Sequence, residues 1–140
     1  MVIQTKNKPA TATGISRGRL WSARIASGMV VLFMLFDGIG KIAKPAPVIE
    51  ASLALGFKES HIPEIGVLGL LCTILYAVPR TRLLGALLLT AYLGGAVAAQ
   101  VRVDNPLWSH TLFPVYIALL AWGAIGLRDR RWSQMFRERG

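Results

Sequence analysis

Four long apolar segments, separated by short polar connections, dominate the hydrophobic pattern of this 140-residue chain. They cover approximately residues 25–42, 63–78, 83–101 and 113–127. Each approaches the roughly 20 residues that a helix needs to cross a bilayer core of about 30 Å. The pattern therefore predicts an all-α membrane protein, a bundle of four transmembrane helices in which the short connections make successive helices antiparallel.

Basic residues are distributed unevenly among the connections, and this distribution predicts the orientation. Twelve of the sixteen precede the first segment, join the second to the third, or follow the fourth. The other two connections hold only Lys41, Lys44, Lys58 and Arg102. Because lysine and arginine are retained on the cytoplasmic side, we expect a multi-pass protein of the cell inner membrane with both termini in the cytoplasm.

The chain divides into one membrane domain and two tails. Residues 1–18 lack a periodic apolar pattern and are predicted to be a flexible basic cytoplasmic tail. Residues 19–128 form the transmembrane domain, and residues 129–140 a second basic cytoplasmic tail. Between the first two spans, residues 48–55 predict a short helix at the outer membrane interface, with Gly56 as its C-terminal cap.

Prolines and a threonine mark further helix ends. Pro63 suits the first turn of the second span, and Pro79 disfavours helical geometry at the residue before it. Thr81 is a candidate cap for the third span. After Asp104 a helix is expected to resume, with a kink at Pro114, which has no N–H to donate to the preceding turn.

Composition narrows the possible partners. In a soluble protein, a net charge of +9 would indicate nucleic acid, but here the basic residues lie at the ends of the spans. At that level anionic lipid headgroups attract each of them by about 1 kcal/mol. The bilayer, and not nucleic acid, is therefore the expected partner. Cys72 is the single cysteine, so a dithiol relay within this chain is excluded.

Polar residues cluster where the spans meet the outer side. Ionisable groups inside a membrane are costly and mark functional sites by default. The candidates for one shallow ligand pocket are Asp37, Lys41, Gln100, Arg102 and His110, with His61 nearby. A charge network that only seals the bundle is the alternative. His61 and His110 lie in no ligand motif, so no metal site is predicted, and no nucleophile–base arrangement is present.

Small residues recur on one face of the third span at Ala91, Gly95 and Ala99. In a bilayer, small residues allow helix backbones to approach closely. The spacing predicts close helix packing at this face, with Gly95 against a neighbouring backbone. The contact is expected within the chain, and the alternative is a seam between two copies in a homo-oligomer.

Residues 83–116 resemble the DoxX-like family of small four-helix bacterial membrane proteins. The resemblance lies in GGAVA, in Arg102 and in the run from Ser109 to Pro114, and FDGIGKI at residues 36–42 resembles the family's outer end of the first span. It extends over approximately residues 24–127. Relatives often carry histidine at the position of Gln100, so a role that requires imidazole there is not expected of this chain.

The resemblance implies a fold and a location more than an activity. The family is named after a membrane subunit of a thiosulfate:quinone oxidoreductase, but no redox centre is evident in this sequence. Three hypotheses follow: a protein that binds a small lipophilic or anionic ligand such as a quinone, a membrane subunit of a quinone-linked oxidoreductase whose redox centre is on another chain, or a structural or oligomeric partner without a ligand.

Overall fold

A computed structural model describes residues 16–129 of the chain, together with residues 131, 134 and 138. This part contains five α-helices and no strand. The helices are α1 (Arg17–Ala43), α2 (Ala46–Ala54), α3 (Ile62–Ala77), α4 (Arg82–Arg102) and α5 (Phe113–Arg128). A 3-10 turn, Glu59–His61, leads directly into α3, and a π-helical turn, Leu107–Thr111, precedes α5.

Four of these helices have the length and apolar composition of membrane spans. They are α1, α3 with its 3-10 turn, α4, and α5 with its π-helical turn. Large apolar side chains such as Leu32, Phe36 and Leu119 point outward and are exposed. In lipid this outward apolar surface is the stable arrangement, since the hydrocarbon is as apolar as leucine. The prediction of four membrane-spanning helices is confirmed.

The four spans form a bundle with two distinct ends. α1 packs against α3 and α5, and α4 packs against the same two helices, so α1 and α4 are diagonal to each other. The last turns of α1 and α4 meet the first turns of α3 and α5 around one cavity, described below. We call this the cavity end, and the opposite end, where α1 begins, the arginine end.

The half of the bundle nearer the arginine end has a well-packed core. Tyr76 on α3 is fully buried there, and its hydroxyl donates to the carbonyl of Ala121 on α5 over 3.0 Å. The Ser27 hydroxyl on α1 lies 3.4 Å from the same phenol oxygen. Three spans are thus tied together by one buried hydroxyl. The surrounding side chains include Val30, Met34, Cys72, Ala86, Leu89, Ile117 and Ile125.

Glycines permit the closest approaches between spans. A Cβ on Gly85 of α4 would collide with the backbone of Leu75 and Tyr76 on α3. A Cβ on Gly66 of α3 would lie 2.8 Å from the carbonyl oxygen of Gly38 on α1. Both approaches are closer than real Cβ contacts. Helix α3 can therefore pack this closely on α1 and α4 only because these two positions lack side chains.

The short helix α2 ends as its sequence predicts. Gly56 has a φ of +82°, its N–H donates to the carbonyl of Leu53 over 2.8 Å, and the N–H of Phe57 donates to the carbonyl of Ser52 over 3.1 Å. These two bonds form a Schellman motif, which requires the left-handed conformation that glycine adopts without strain. Gly56 is therefore confirmed as the residue that ends α2.

Two local predictions need correction, and a third holds with a different type of helical turn. The Thr81 hydroxyl does not cap α4; it donates to the carbonyl of Leu75 over 2.8 Å. The helix after Asp104 resumes as a π-helical turn at Leu107, and Pro114 lies in the first turn of α5. The predicted kink at Pro114 is thus replaced by an interruption at Leu112, between the two elements.

The predicted tails lie largely outside the described residues. α1 already begins at Arg17, inside the predicted tail, where the Ser16 hydroxyl accepts a hydrogen bond from the N–H of Arg19 over 3.3 Å. Residues 1–15, and most residues after 129, are not described.

Candidate ligand-binding cavity

A cavity of about 650 Å³ occupies the cavity end of the bundle. This volume is within the range of roughly 300–1,000 Å³ that is usual for small-molecule sites. All five helices contribute to its walls, which are mostly apolar. The buried side chains of Met34 and Leu93 belong both to the core and to the cavity lining, so the cavity begins where the packed core ends.

The walls of the cavity come from different helices. α2 contributes Pro47, Val48, Ala51 and Ser52, and α3 contributes Ile65 and Leu68. Phe33 of α1 and Phe113 of α5 close another side, with ring centroids 5.1 Å apart and ring planes inclined by 65°. This edge-to-face geometry is favoured between aromatic rings. The short helix α2 is thus part of the cavity wall, and not only a connection between two spans.

Three polar side chains form a network on the cavity wall. Lys41 and Asp37 form an ion pair one turn apart on α1, and both are partly buried. The Tyr92 hydroxyl on α4 donates to Oδ2 of Asp37 over 3.4 Å, so this contact crosses the diagonal of the bundle. We call Asp37, Lys41 and Tyr92 the polar triad. It places a hydroxyl, a carboxylate and an ammonium group at one level of a mostly apolar cavity.

Gly69 on α3 allows Tyr92 to reach across the bundle. A Cβ at Gly69 would lie 3.0 Å from both Cζ and the hydroxyl oxygen of Tyr92. A larger residue would therefore push the phenol ring away from Asp37. The absence of a side chain at Gly69 on α3 thus permits the contact between Tyr92 on α4 and Asp37 on α1.

Gln100 and His110 add further polar groups to the lining. Asn105 donates to Oε1 of Gln100, and the Ser109 hydroxyl lies 2.7 Å from Nδ1 of His110. His110 belongs to the π-helical turn, an element that occurs frequently at functional sites. Together with Asp37 and Lys41, these two residues are the predicted site residues that the structure brings to one cavity.

Arg102 lies elsewhere. It is exposed at the end of α4, and its guanidinium donates to the carbonyl of Leu55, at the end of α2. Asp37 pairs with Lys41, and Arg102 is not in the cavity lining, so the structure does not bring Arg102 to the predicted pocket. Arg102 therefore holds the end of the helix that covers the cavity. His61 is exposed on the 3-10 turn and is not in the cavity lining.

The small residues of α4 line the cavity. Ala91, Gly95 and Ala99 all belong to its wall, and only Ala99 is buried. A Cβ added at Gly95 would have no atom within 4 Å. The close backbone contact expected at Gly95 is therefore absent from the structure. The missing side-chain volume leaves space for the cavity, and the close contacts occur at Gly85 and Gly66 instead.

Sequence reasoning missed Tyr92 and the contribution of α2. Tyr92 precedes Gly95 by three residues and Ala99 by seven, so it shares a helical face with both. That spacing was the sequence signal that could have placed Tyr92 beside the small residues. Within the described residues, no group of three or more histidine, cysteine, aspartate or glutamate side chains is arranged to hold a metal ion.

Comparison with known proteins agrees with this architecture. The model of the DoxX-like family matches residues 25–124, which include most of the bundle and the polar triad. No curated protein and no solved structure matches the chain. The family match covers well over half of the sequence and coincides with four helices suited to crossing a membrane. The chain is therefore a multi-pass membrane protein that belongs to the DoxX-like family.

Proposed function

We propose that this protein binds a small lipophilic molecule with a polar or anionic headgroup in the cavity between its spans. The observation that carries the proposal is the combination of about 650 Å³ of mostly apolar space with a few polar groups on its wall. Ligand sites usually have this composition, since apolar walls supply affinity and a few polar groups fix orientation.

The polar groups indicate the chemistry of the headgroup. Lys41 supplies ammonium donors, and Gln100, whose Oε1 already accepts from Asn105, offers its amide N–H groups. Tyr92 and His110 add groups that donate or accept. Donors in the majority suit a ligand that presents oxygen acceptors, such as the carbonyls of a quinone ring or a carboxylate. A quinone headgroup is thus one candidate, with its apolar tail against the walls.

The arrangement in the membrane follows from the charges. We infer an antiparallel bundle in the inner membrane with both termini in the cytoplasm, because twelve of the sixteen basic residues precede the first span, join the second to the third, or follow the fourth. The cavity then opens toward the outer side, and α2 lies at the outer interface above it. A ligand would enter at that level from the outer leaflet or from the aqueous phase.

Adjacent glycines on α4 offer a matched test of the cavity. Gly95 lines it and has open space for a side chain, whereas Gly94 also has open space but is not in the lining. Gly95→Leu should fill part of the cavity without disturbing the helix contacts, and Gly94→Leu should change neither. Both variants replace a glycine by leucine in the same helix, so the change in helix propensity is the same for the two.

The measurement is native mass spectrometry of the full-length protein from mild detergent, followed by titration with a short-chain quinone. We expect the parent and Gly94→Leu to retain a small molecule, and Gly95→Leu to bind at least about tenfold more weakly, since overpacking costs about 1–3 kcal/mol and 1.4 kcal/mol is tenfold. Equal retention by all three proteins would overturn the proposal. Copurification of a redox flavoprotein would instead favour the membrane-subunit hypothesis, and a ligand-free homo-oligomer the structural one.

A further inference from the structure

Arginine side chains from three spans converge at the arginine end. We call Arg19 and Arg24 of α1, Arg82 of α4 and Arg128 of α5 the arginine cluster. Nη2 of Arg19 donates to the carbonyl of Gly126 on α5 over 3.2 Å. Arg24 and Arg82 both lie close enough to Arg128 to repel it electrostatically. Positive charges thus lie near one another at this end, and their mutual repulsion must be offset by favourable interactions.

Part of that compensation comes from helix ends. Nε of Arg82 lies 3.4 Å from the carbonyl oxygen of Tyr76, near the end of α3, as Arg19 contacts Gly126 near the end of α5. Arginine at a helix C-terminus interacts favourably with the last carbonyls and with the negative end of the helix dipole. A role limited to these caps would be purely structural.

Two donors are left without such a partner. Nε of Arg19 and Nε of Arg128 are buried, and neither has a hydrogen-bond partner among the described residues. A buried donor that makes no hydrogen bond has lost its interaction with water without a replacement, and the loss is larger when the group is charged. Capping carbonyls therefore do not account for the whole cluster.

Acidic side chains do not balance it either. The ion pairs found in the described part of the chain are Asp37–Lys41 and Lys44–Glu59, which involve only residues beyond the cluster, from the end of α1 onward. Asp129, next to Arg128, uses its Oδ1 to accept from the backbone N–H of Arg131 over 2.8 Å. The cluster thus presents excess positive charge and unused donors at the ends of the spans, which is the level of the lipid headgroups.

We propose that the guanidinium groups of the arginine cluster bind the phosphate group of an anionic lipid, in a side-chain rearrangement that also gives the buried Nε atoms of Arg19 and Arg128 an acceptor. Guanidinium matches phosphate oxygens in geometry as well as charge, and basic pockets between spans are known as lipid headgroup sites. This site is separate from the cavity, since none of its four arginines lines that cavity. An inorganic phosphate ion has the same chemistry, so the two sources must be distinguished.

The test is lipid-dependent thermal stability of the full-length protein in delipidated detergent micelles. Phosphatidylglycerol, phosphatidylcholine and inorganic phosphate are added separately. We expect phosphatidylglycerol to raise the melting temperature and phosphatidylcholine, which has no net charge, to have little effect. A comparable rise with inorganic phosphate would identify the free ion as a ligand of the same site, whereas its absence would identify the lipid.

Two variants distinguish a specific lipid-binding site from general electrostatic attraction of anionic lipid to the basic surface. Arg128→Gln should weaken phosphatidylglycerol binding at least about tenfold, because hydrogen bonds to charged groups contribute about 1.5–3 kcal/mol. Arg80→Gln changes an exposed arginine in the connection before α4 and should weaken it at most about fivefold, the value for about 1 kcal/mol of surface attraction. Equal losses in the two variants would overturn the proposal. So would an Arg128→Gln melting temperature that is lowered by the same amount with and without phosphatidylglycerol.

Discussion

Gly85 is the position where a single methyl group should be most damaging. Its Cβ would lie 2.5 Å from Cα of Tyr76 and closer still to the Tyr76 nitrogen and the Leu75 carbonyl carbon. All three are backbone atoms of α3. No side-chain rotation relieves such a collision, so Gly85→Ala must move α4 away from α3 until ordinary contact distances near 3.4 Å are restored.

The expected cost follows from two opposing terms. Overpacking typically costs about 1–3 kcal/mol, and the upper part of this range applies because backbone has to move. Replacing glycine by alanine within a helix returns about 1 kcal/mol through helix propensity. The net loss should therefore be about 1–2 kcal/mol. The separation also loosens the surroundings of Tyr76, whose hydroxyl connects three spans.

Unfolding of the purified protein in mixed micelles, with increasing SDS, measures this free energy. Gly94→Ala is the matched control, because it lies on the same helix and an added Cβ would have no atom within 4 Å. The control should be as stable as the parent or slightly more stable. A Gly85→Ala protein that unfolds together with the control would show that α3 and α4 are not in the close contact described here.

Three further outcomes are expected. Tyr92→Phe removes the hydroxyl that donates to Asp37 and should weaken retention of the cavity ligand. The free energy of unfolding should change by less than about 1.5 kcal/mol. An unchanged affinity would mean that the hydroxyl does not contact the ligand. Arg102→Gln should loosen the end of α2 at Leu55, seen as faster amide hydrogen exchange there and unchanged exchange in α4. Equal protection in parent and variant would mean that the Arg102–Leu55 hydrogen bond does not hold the end of α2. Reporter fusions at the C-terminus and within residues 51–60 should give opposite topological signals, and matching signals would refute the inferred orientation.

Hydropathy was sufficient to locate the spans but not all of their ends. The predicted segments 63–78 and 83–101 differ by one residue at each end from α3 and α4. The first apolar segment, in contrast, starts at residue 25, whereas α1 begins at Arg17. Hydropathy reports where lipid surrounds the chain, and a helix continues beyond that point as long as its backbone groups are paired and its first turn is capped.

The candidate site was only partly predictable, and for a physical reason. Counting spans places Asp37, Lys41, Gln100 and His110 at the same end of the bundle, and the structure brings all four to the cavity. Arg102 belongs to the same end, but its long side chain reaches α2 instead. Position along a helix specifies the end at which a residue lies, and not the direction of a flexible side chain.

Small residues posed a different difficulty. Ala91, Gly95 and Gly85 all signal missing side-chain volume on α4. At Gly85 the backbone of α3 occupies that volume, and at Gly95 nothing does. Both outcomes give the same sequence pattern, so the choice between a tight contact and a cavity depends on the neighbouring helices.

The shortness of α3 has a consequence for the surrounding bilayer. Its sixteen residues span about 24 Å at 1.5 Å per residue, against a typical hydrocarbon thickness of about 30 Å. The preceding 3-10 turn is polar, so it cannot extend the apolar length at low cost. The bilayer beside α3 must therefore become thinner, at a cost of fractions of a kcal/mol per Å of mismatch. We therefore expect the bilayer to be locally thinner beside α3 than beside α4, whose 21 residues span about 31 Å at 1.5 Å per residue.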